Sequence, residues 1–373
     1  MNKQQKIIYV MKDYLDGYPP CISQIVMLCK MGIDVEVITE VCNKTTSTVI
    51  GNAGAKLHLL GNLNPHKKTL GRIAHWINFK RLAIKEIKKL FRAGDILWLG
   101  SATTAMVLKS FVKNKKFILN VLELYDTWPL YKKKLGKIIC YASAVVACEK
   151  NRARIMKQWF NLKKLPYVMP NKPHYEIAST KSKEVEAFER ILQEKKVILY
   201  QGILDPERPL DTLVKALNKT KDKYTFAIIG ADAVKERGEA MLKQLKEIYP
   251  DVIYGGYFPA PQHLYITEKA YIGVAFYDYS SLNTLFCAPN KTFEYSKFNV
   301  PILGNDIPGL QCTVEKNGAG ICVDMENPDE IAKAIDKISE NYEEYQKGAE
   351  RLYNSVDNLS TTKKILEDIG FIE

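Results

Sequence analysis

The chain has 373 residues, 46% of them apolar and 26% charged, with a formal net charge of +12. At about 150 residues per domain this length allows two domains, each with its own core. The composition excludes a disordered or collagen-like chain, and the length a single small disulfide-stapled module.

In chain order, KIIYV (6–10) reads as a buried strand, MKDYLDGYPPC as a loop, and Ile22 to Met31 as a helix closed by Gly32. DVEVIT (34–39) alternates as a second strand, which completes a parallel βαβ crossover. Further strands are expected at 56–60, 95–99, 116–122 and 144–148, with helices between them. The sequence VMPNKP (168–173) breaks the pattern, and the charged, helix-compatible segment 180–196 marks a hinge. A second α/β series follows: the strand KKVILYQG, the amphipathic helix LDTLVKAL, then the strands TFAIIG, VIYGGYF, YIGVAFY, VPILGN and AGICVD. From Pro328 the chain reads as helical, most clearly over 329–339 and 342–355. The fold class is therefore α/β, with two Rossmann-like domains facing each other across a cleft. The expected division is 1–173, 174–355 and a helical tail, 356–373, that packs back on the first domain.

Charge separates the halves. Up to Pro173 there are 30 Lys+Arg against 10 Asp+Glu, a surplus of +20, whereas the remainder carries −8. Such asymmetry suits one domain to an anionic surface. The surplus gathers in HKKTLGRIAHWINFKRLAIKEIKKLFR (66–92), in Lys113–Lys116 and in YKKKLGK (131–137). The first segment can form a helix with an apolar face (Ile73, Trp76, Ile77, Leu82, Ile84, Ile87, Leu90, Phe91) and a cationic flank, suited to an anionic membrane or, alternatively, packed into the core with its lysines in solvent. No nucleic-acid-binding signature accompanies the charge. The start, MNKQQKIIYVMKDY, reads as neither signal peptide nor transmembrane helix. The eight cysteines have no zinc spacing and read as reduced, buried thiols of a cytosolic protein. The five histidines show no ligand spacing and read as structural or exposed, and no metal site is derived.

The strongest chemical signal is APNKTFEYSKFNVPILGNDIPGL (288–310). Asn290, Lys291 and Glu294 fall at the mouth of a predicted helix. There a cation and backbone amides suit phosphate, and a carboxylate one turn along can accept hydrogen bonds from both hydroxyls of a ribose. In QGILDPERP, Gly202 allows the backbone to approach a diphosphate and Arg208 supplies a fixed cation. FILNVLELYDTWP runs from a strand into a polar loop that projects Glu123 and Asp126 at the strand's carboxyl end.

PNKTFEY, followed by VPIL, NDIPG and NGAGICVD, resembles the donor-site region of GT-B fold glycosyltransferases of the retaining group 4, in particular the PNKxFEY subgroup of bacterial polysaccharide enzymes. LYQGILDPERPLDTLVKAL resembles the opening of that family's donor domain. GYPPC with QIVMLCKMGIDVEVIT resembles the acceptor-domain start, so the resemblance spans roughly residues 6 to 355. It implies transfer of a sugar from a nucleotide-diphosphate sugar to a glycan or lipid-linked glycan, without a metal or other cofactor, at the cytoplasmic membrane face. By the same resemblance, Lys291 and Arg208 hold the pyrophosphate, and Gly17 lies in the loop under the donor phosphates. The sequence departs from the family twice: Phe286 stands where the first of two paired glutamates is usual, and Leu122 where a histidine is usual. Asn283 is a candidate to replace the missing acid beside the donor sugar. Glu123 is a candidate to orient the acceptor or stabilise charge on the sugar. A sugar-nucleotide epimerase of the same fold and a non-catalytic nucleotide-sugar- or glycan-binding relative are the alternatives. A dinucleotide dehydrogenase is disfavoured, since neither strand-end glycine carries GxGxxG.

Overall fold

A computed structural model describes residues 5–12, 14–61, 69–174, 180–204, 210–231 and 235–373. The chain forms two compact units, Met1–Tyr175 with Asp357–Glu373, and Glu176–Val356.

The first unit holds a parallel sheet of seven strands: β1 (Lys6–Val10), β2 (Asp34–Thr39), β3 (Lys56–Leu59), β4 (Ile96–Leu99), β5 (Phe117–Val121), β6 (Ala144–Ala147) and β7 (Tyr167–Val168). Their spatial order is β3-β2-β1-β4-β5-β6-β7. β4, β5 and β6 are buried along their whole length, as expected of strands covered on both faces. The first helix begins at Pro19, three residues before the expected start at Ile22. Proline is tolerated in a helix's first turn, where no intrahelical N–H bond is lost. The segment Asp357–Glu373 belongs to this unit. Its helix, Asn358–Asp368, is held by Asn358 Nδ2 donating to Pro170 O at 2.8 Å and by the Tyr167 hydroxyl donating to Asp368 Oδ2 at 2.5 Å.

The basic helix spans Thr69–Leu90. Phe79, Ala83 and Ile87 are fully buried in the core of the unit, and Trp76, Ile84, Leu90 and Phe91 pack half-buried against it. Most of its apolar face is therefore used internally, Ile73 and Ile77 at its amino-terminal end excepted. Arg81, Lys85, Lys88, Lys89 and Arg92 are exposed, as are Ile73 and Ile77. Residues 62–68, at the front of this basic segment, lie outside the described residues.

The second unit holds β8 (Val197–Gln201), β9 (Thr225–Ile229), β10 (Val252–Gly256), β11 (Ile272–Ala275), β12 (Ile302–Asn305) and β13 (Gly320–Val323), all parallel, in the order β10-β9-β8-β11-β12-β13. The helix Lys183–Leu192, in the segment expected to carry the hinge, is capped by Ser182 and buries Val185, Phe188 and Leu192 in this unit's core. In this sheet successive strands run outward from β8 to β10, then resume on β8's other side at β11. The carboxyl ends of β8 and β11 therefore flank the topological switch point, where open parallel sheets bind ligands.

All eight cysteines are free; Cys21, Cys148 and Cys287 are buried, whereas Cys140 and Cys312 are exposed, contrary to the expectation of buried thiols. Among the described residues no helix is long and apolar enough to cross a membrane, and no group of three or more His, Cys, Asp or Glu is placed to hold a metal ion.

Candidate functional site

The site is built at the switch point of the second unit, where two glycines end neighbouring strands. A Cβ on Gly230 would stand 1.7 Å from the carbonyl oxygen of Gly202, so only a glycine lets these two strand ends approach. Gly202 N–H donates to Ile229 O at 2.9 Å, which holds the turn after β8 against the end of β9.

The helix Asn290–Lys297 meets this turn. Tyr295 anchors it: the ring lies so close to β11 that a Cβ on Gly273 would fall 2.4 Å from it. Its hydroxyl donates to Leu199 O at 2.8 Å and accepts from Gln201 N–H at 3.3 Å. Burial pushes the Tyr295 phenol well above its ordinary range, so the hydroxyl remains a donor. The anchor fixes the helix in register with the end of β8. One residue earlier Glu294 faces Gln201, and one turn earlier Lys291 reaches Gly202.

The Lys291 ammonium lies 3.2 Å from the position a Cβ on Gly202 would take, 4.4 Å from the centre of the Tyr200 ring and 5.3 Å from that of Tyr277. Two aromatic faces thus steady its charge. Tyr277 is in turn clamped by Asn305 at the end of β12, whose side chain accepts from Tyr277 N–H at 3.0 Å and donates to Tyr277 O at 2.8 Å. Asn290, half-buried, opens the helix, and its cap residue, Pro289, has no side-chain oxygen to satisfy the first-turn amides. A cation and a helix N-terminus thus stand together, as phosphate binding requires.

Glu294 is buried, its side chain 7% exposed, yet both carboxylate oxygens have internal donors. Gln201 Nε2 donates to Oε2, and His263 Nε2 lies 3.2 Å from Oε1. Thr267 Oγ1 donates to Gln201 Oε1 at 2.8 Å, which orients the amide. His263 therefore lies within the candidate site, packed against Glu294. Of the others, His58 pairs with Glu36 at 2.6 Å and His75 with Glu40 at 2.7 Å, while His66 lies outside the described residues.

Gly202, Asn290, Lys291 and Glu294 are thus brought together, whereas Arg208 lies outside the described residues. Asn283 stands half-buried on a short helix, Leu282–Leu285, that Ser281 caps. Phe286 ends that helix, and its backbone with that of Cys287 lies against Gly309, where a Cβ would meet Cys287 N and O at 2.7 Å. NDIPG therefore serves to pin the segment that leads into the helix Asn290–Lys297.

In the first unit Glu123 follows β5 with its side chain 50% exposed and its Oε2 3.4 Å from Arg152 Nη1. Arg152 is buried on the helix Lys150–Trp159 and also binds Leu122 O, so the residue at the family's histidine position is held through its backbone. Gly17 ends a 3-10 turn, and a Cβ there would meet nothing within 4 Å.

Residues 181–355, in the second unit, match the family model of glycosyl transferases group 1. Among solved structures the fold matches Anabaena HepE in complex with UDP and glucose: TM-score 0.73, 14% identity, covering 99% of this chain and 100% of that one. It also matches a glycosyltransferase from Rickettsia africae (TM-score 0.69, 15% identity, 98% of each chain) and sucrose-phosphate synthase from Thermosynechococcus elongatus (TM-score 0.69, 14% identity, 97% and 98%). The fold is GT-B. No curated protein sequence matches the chain significantly.

Proposed function

We propose that the protein is a glycosyltransferase that moves a sugar from a nucleoside-diphosphate sugar to a hydroxyl of a glycan or lipid-linked glycan in bacterial surface polysaccharide synthesis, with retention and without a metal. The observation that carries this reading is the meeting of Lys291 with Gly202 at the end of β8, with Glu294 one turn along the same helix. The match to the group 1 glycosyltransferase family model and the UDP-glucose complex of HepE support it.

In this reading Lys291, Arg208 and the helix N-terminus hold the diphosphate, and Glu294 takes the ribose hydroxyls. Gly17 is proposed to serve the donor phosphates, and Asn283 the donor sugar. The bond from the anomeric carbon to the diphosphate oxygen breaks while the acceptor oxygen bonds the same face of that carbon. The acceptor's proton passes to the departing diphosphate. Glu123, fixed by Arg152, orients the acceptor or stabilises charge on the sugar.

The acceptor is proposed to be met at an anionic membrane surface on the cytoplasmic side. The exposed cations of the helix Thr69–Leu90 support this, together with exposed Trp128 and Leu130 beside Lys133, Lys134 and Lys137 on the helix Pro129–Ile139. At about 1 kcal/mol for each basic residue near an anionic leaflet, five such charges are enough to localise the enzyme.

The test is a thermal-shift screen of UDP-, GDP-, dTDP- and CMP-sugars, followed by mass analysis of products formed from the donor that binds. Transfer to an added acceptor, or slow hydrolysis of the donor, supports the reading; an isomerised donor identifies an epimerase. Binding with neither reaction identifies a non-catalytic relative, the reading that Phe286 and Leu122 favour.

A further inference from the structure

We propose that His263 is a positioning residue for Glu294: it presets the carboxylate to receive the two vicinal hydroxyls of a ribose, one on each oxygen. This rests on the nucleotide reading of the site and adds a residue to it.

The helix His263–Thr267 carries His263 and Thr267 four residues apart, on one face, and both act on the same carboxylate. His263 does so directly through Nε2, and Thr267 acts through Gln201. The tautomer of His263 follows from its surroundings. Nδ1 is buried and has no hydrogen-bond partner among the described residues. A proton there would be a buried N–H with no acceptor, whereas an unprotonated nitrogen loses less. The ring's single proton therefore sits on Nε2, aimed at Glu294 Oε1. Gln201 is fixed in the same way: its Oε1 is taken by the Thr267 hydroxyl, so its amide hydrogens face Glu294 Oε2.

Glu294 thus receives one neutral donor on each oxygen. Neither donor cancels its charge, and each oxygen keeps a second lone-pair site. The two remaining sites match the two neighbouring hydroxyls of a ribose. Without His263, Oε1 has no donor among the described residues, the carboxylate turns toward Gln201, and the two-point geometry is lost.

The experiment is titration calorimetry on the full chain with UDP, GDP and ADP and with their 2′,3′-dideoxy counterparts, on the wild type and on His263→Ala, His263→Asn, His263→Gln and Glu294→Ala. A glutamine amide nitrogen can take the place of Nε2, and an asparagine amide nitrogen that of Nδ1. For the nucleotide the wild type binds best, His263→Ala and His263→Asn are expected to weaken binding roughly tenfold, the scale of a hydrogen bond to a charged group, and His263→Gln to restore most of it. Binding of the dideoxy nucleotide is expected to be the same in all three His263 variants as in the wild type. The proposal is overturned if His263→Gln binds as weakly as His263→Ala, or if the dideoxy nucleotide loses as much as the ribonucleotide. It alone fails if Glu294→Ala weakens binding and His263→Ala does not. If no nucleotide binds the wild type, or Glu294→Ala changes nothing, the nucleotide reading fails as well. Should His263→Ala not fold, the comparison of Asn with Gln decides.

Discussion

The Lys291 ammonium lies 3.2 Å from where a side chain on Gly202 would begin, so the cation from one helix covers the strand-end turn of another element. Charge and exposed backbone therefore reach a ligand together. Gly230, on the neighbouring strand, is what lets the turn sit there.

Replacement of the two glycines is expected to separate binding from stability. In Gly202→Ala the new methyl meets Nζ of Lys291 and the Tyr200 hydroxyl, both at 3.2 Å. These are ends of side chains that can give, and although a φ of +159° at residue 202 adds backbone strain, the variant is expected to lose less stability than Gly230→Ala while the ammonium is displaced. Affinity for a nucleoside diphosphate is expected to drop roughly tenfold in calorimetry. In Gly230→Ala the methyl meets the Gly202 carbonyl at 1.7 Å, and residue 230 has a φ of +141°, a region that favours glycine. That variant is expected to lose about 3 kcal/mol in denaturant unfolding. Equal stability of the two variants would refute this account.

Glu294→Ala is expected to abolish nucleotide affinity, as measured by calorimetry, with far-UV circular dichroism unchanged. The change also strands the Gln201 amide and the His263 N–H in a buried place. A loss of about 1–3 kcal/mol in unfolding free energy is expected with it. Unchanged affinity would refute the ribose assignment.

The fold was legible where burial imposes a pattern. VILYQG and TFAIIG are apolar runs closed by glycine, and they became β8 and β9 because strands covered on both faces need no alternation. PNKTFEY was legible as a candidate site through its resemblance to a donor-site motif, with its cation and carboxylate one turn apart on a single helix. His263 was not legible: it comes from a separate five-residue helix, too short to show periodicity, and meets Glu294 only through the fold. Gln201 left a faint signal, a polar residue at the end of an apolar strand just before the glycine. The helix Thr69–Leu90 shows the limit of periodicity. Spacing reveals an apolar face but not what covers it, and here the unit's own core does.

A pH dependence is expected from Glu36 in the first unit. Burial acts to raise its pKa, but His58 at 2.6 Å, with Lys6 and Lys56 beside it, outweighs that and holds the carboxyl below its ordinary value. A carboxyl depressed in the folded state adds stability above its unfolded pKa, and that contribution is lost as pH falls through the folded value. The thermal midpoint is therefore expected to fall between about pH 5 and pH 3, and to fall less steeply in Glu36→Gln. Parallel slopes in the two proteins would show that Glu36 contributes nothing to acid sensitivity.

The membrane proposal separates into charge and insertion, because the two sets of residues lie on different helices. Lys85, Lys88, Lys89 and Arg92 are exposed on or just after a helix whose apolar face is mostly buried, so they can attract headgroups but bring little apolar surface with them. Trp128 and Leu130, 64% and 76% exposed, precede or open the helix Pro129–Ile139, with Lys133, Lys134 and Lys137 on the following turns. An exposed tryptophan and leucine flanked by lysines suit the headgroup level of a bilayer. Neutralising the four cations is expected to release the protein from anionic vesicles at low salt, and 0.5 M salt to release the wild type likewise, since attraction between exposed charges is screened. Trp128→Ala with Leu130→Ala is expected to weaken binding at low salt although every cation is kept, because the apolar burial it removes is separate from the charges. Sedimentation with vesicles measures both; if neither variant changes the bound fraction, this face does not meet a membrane.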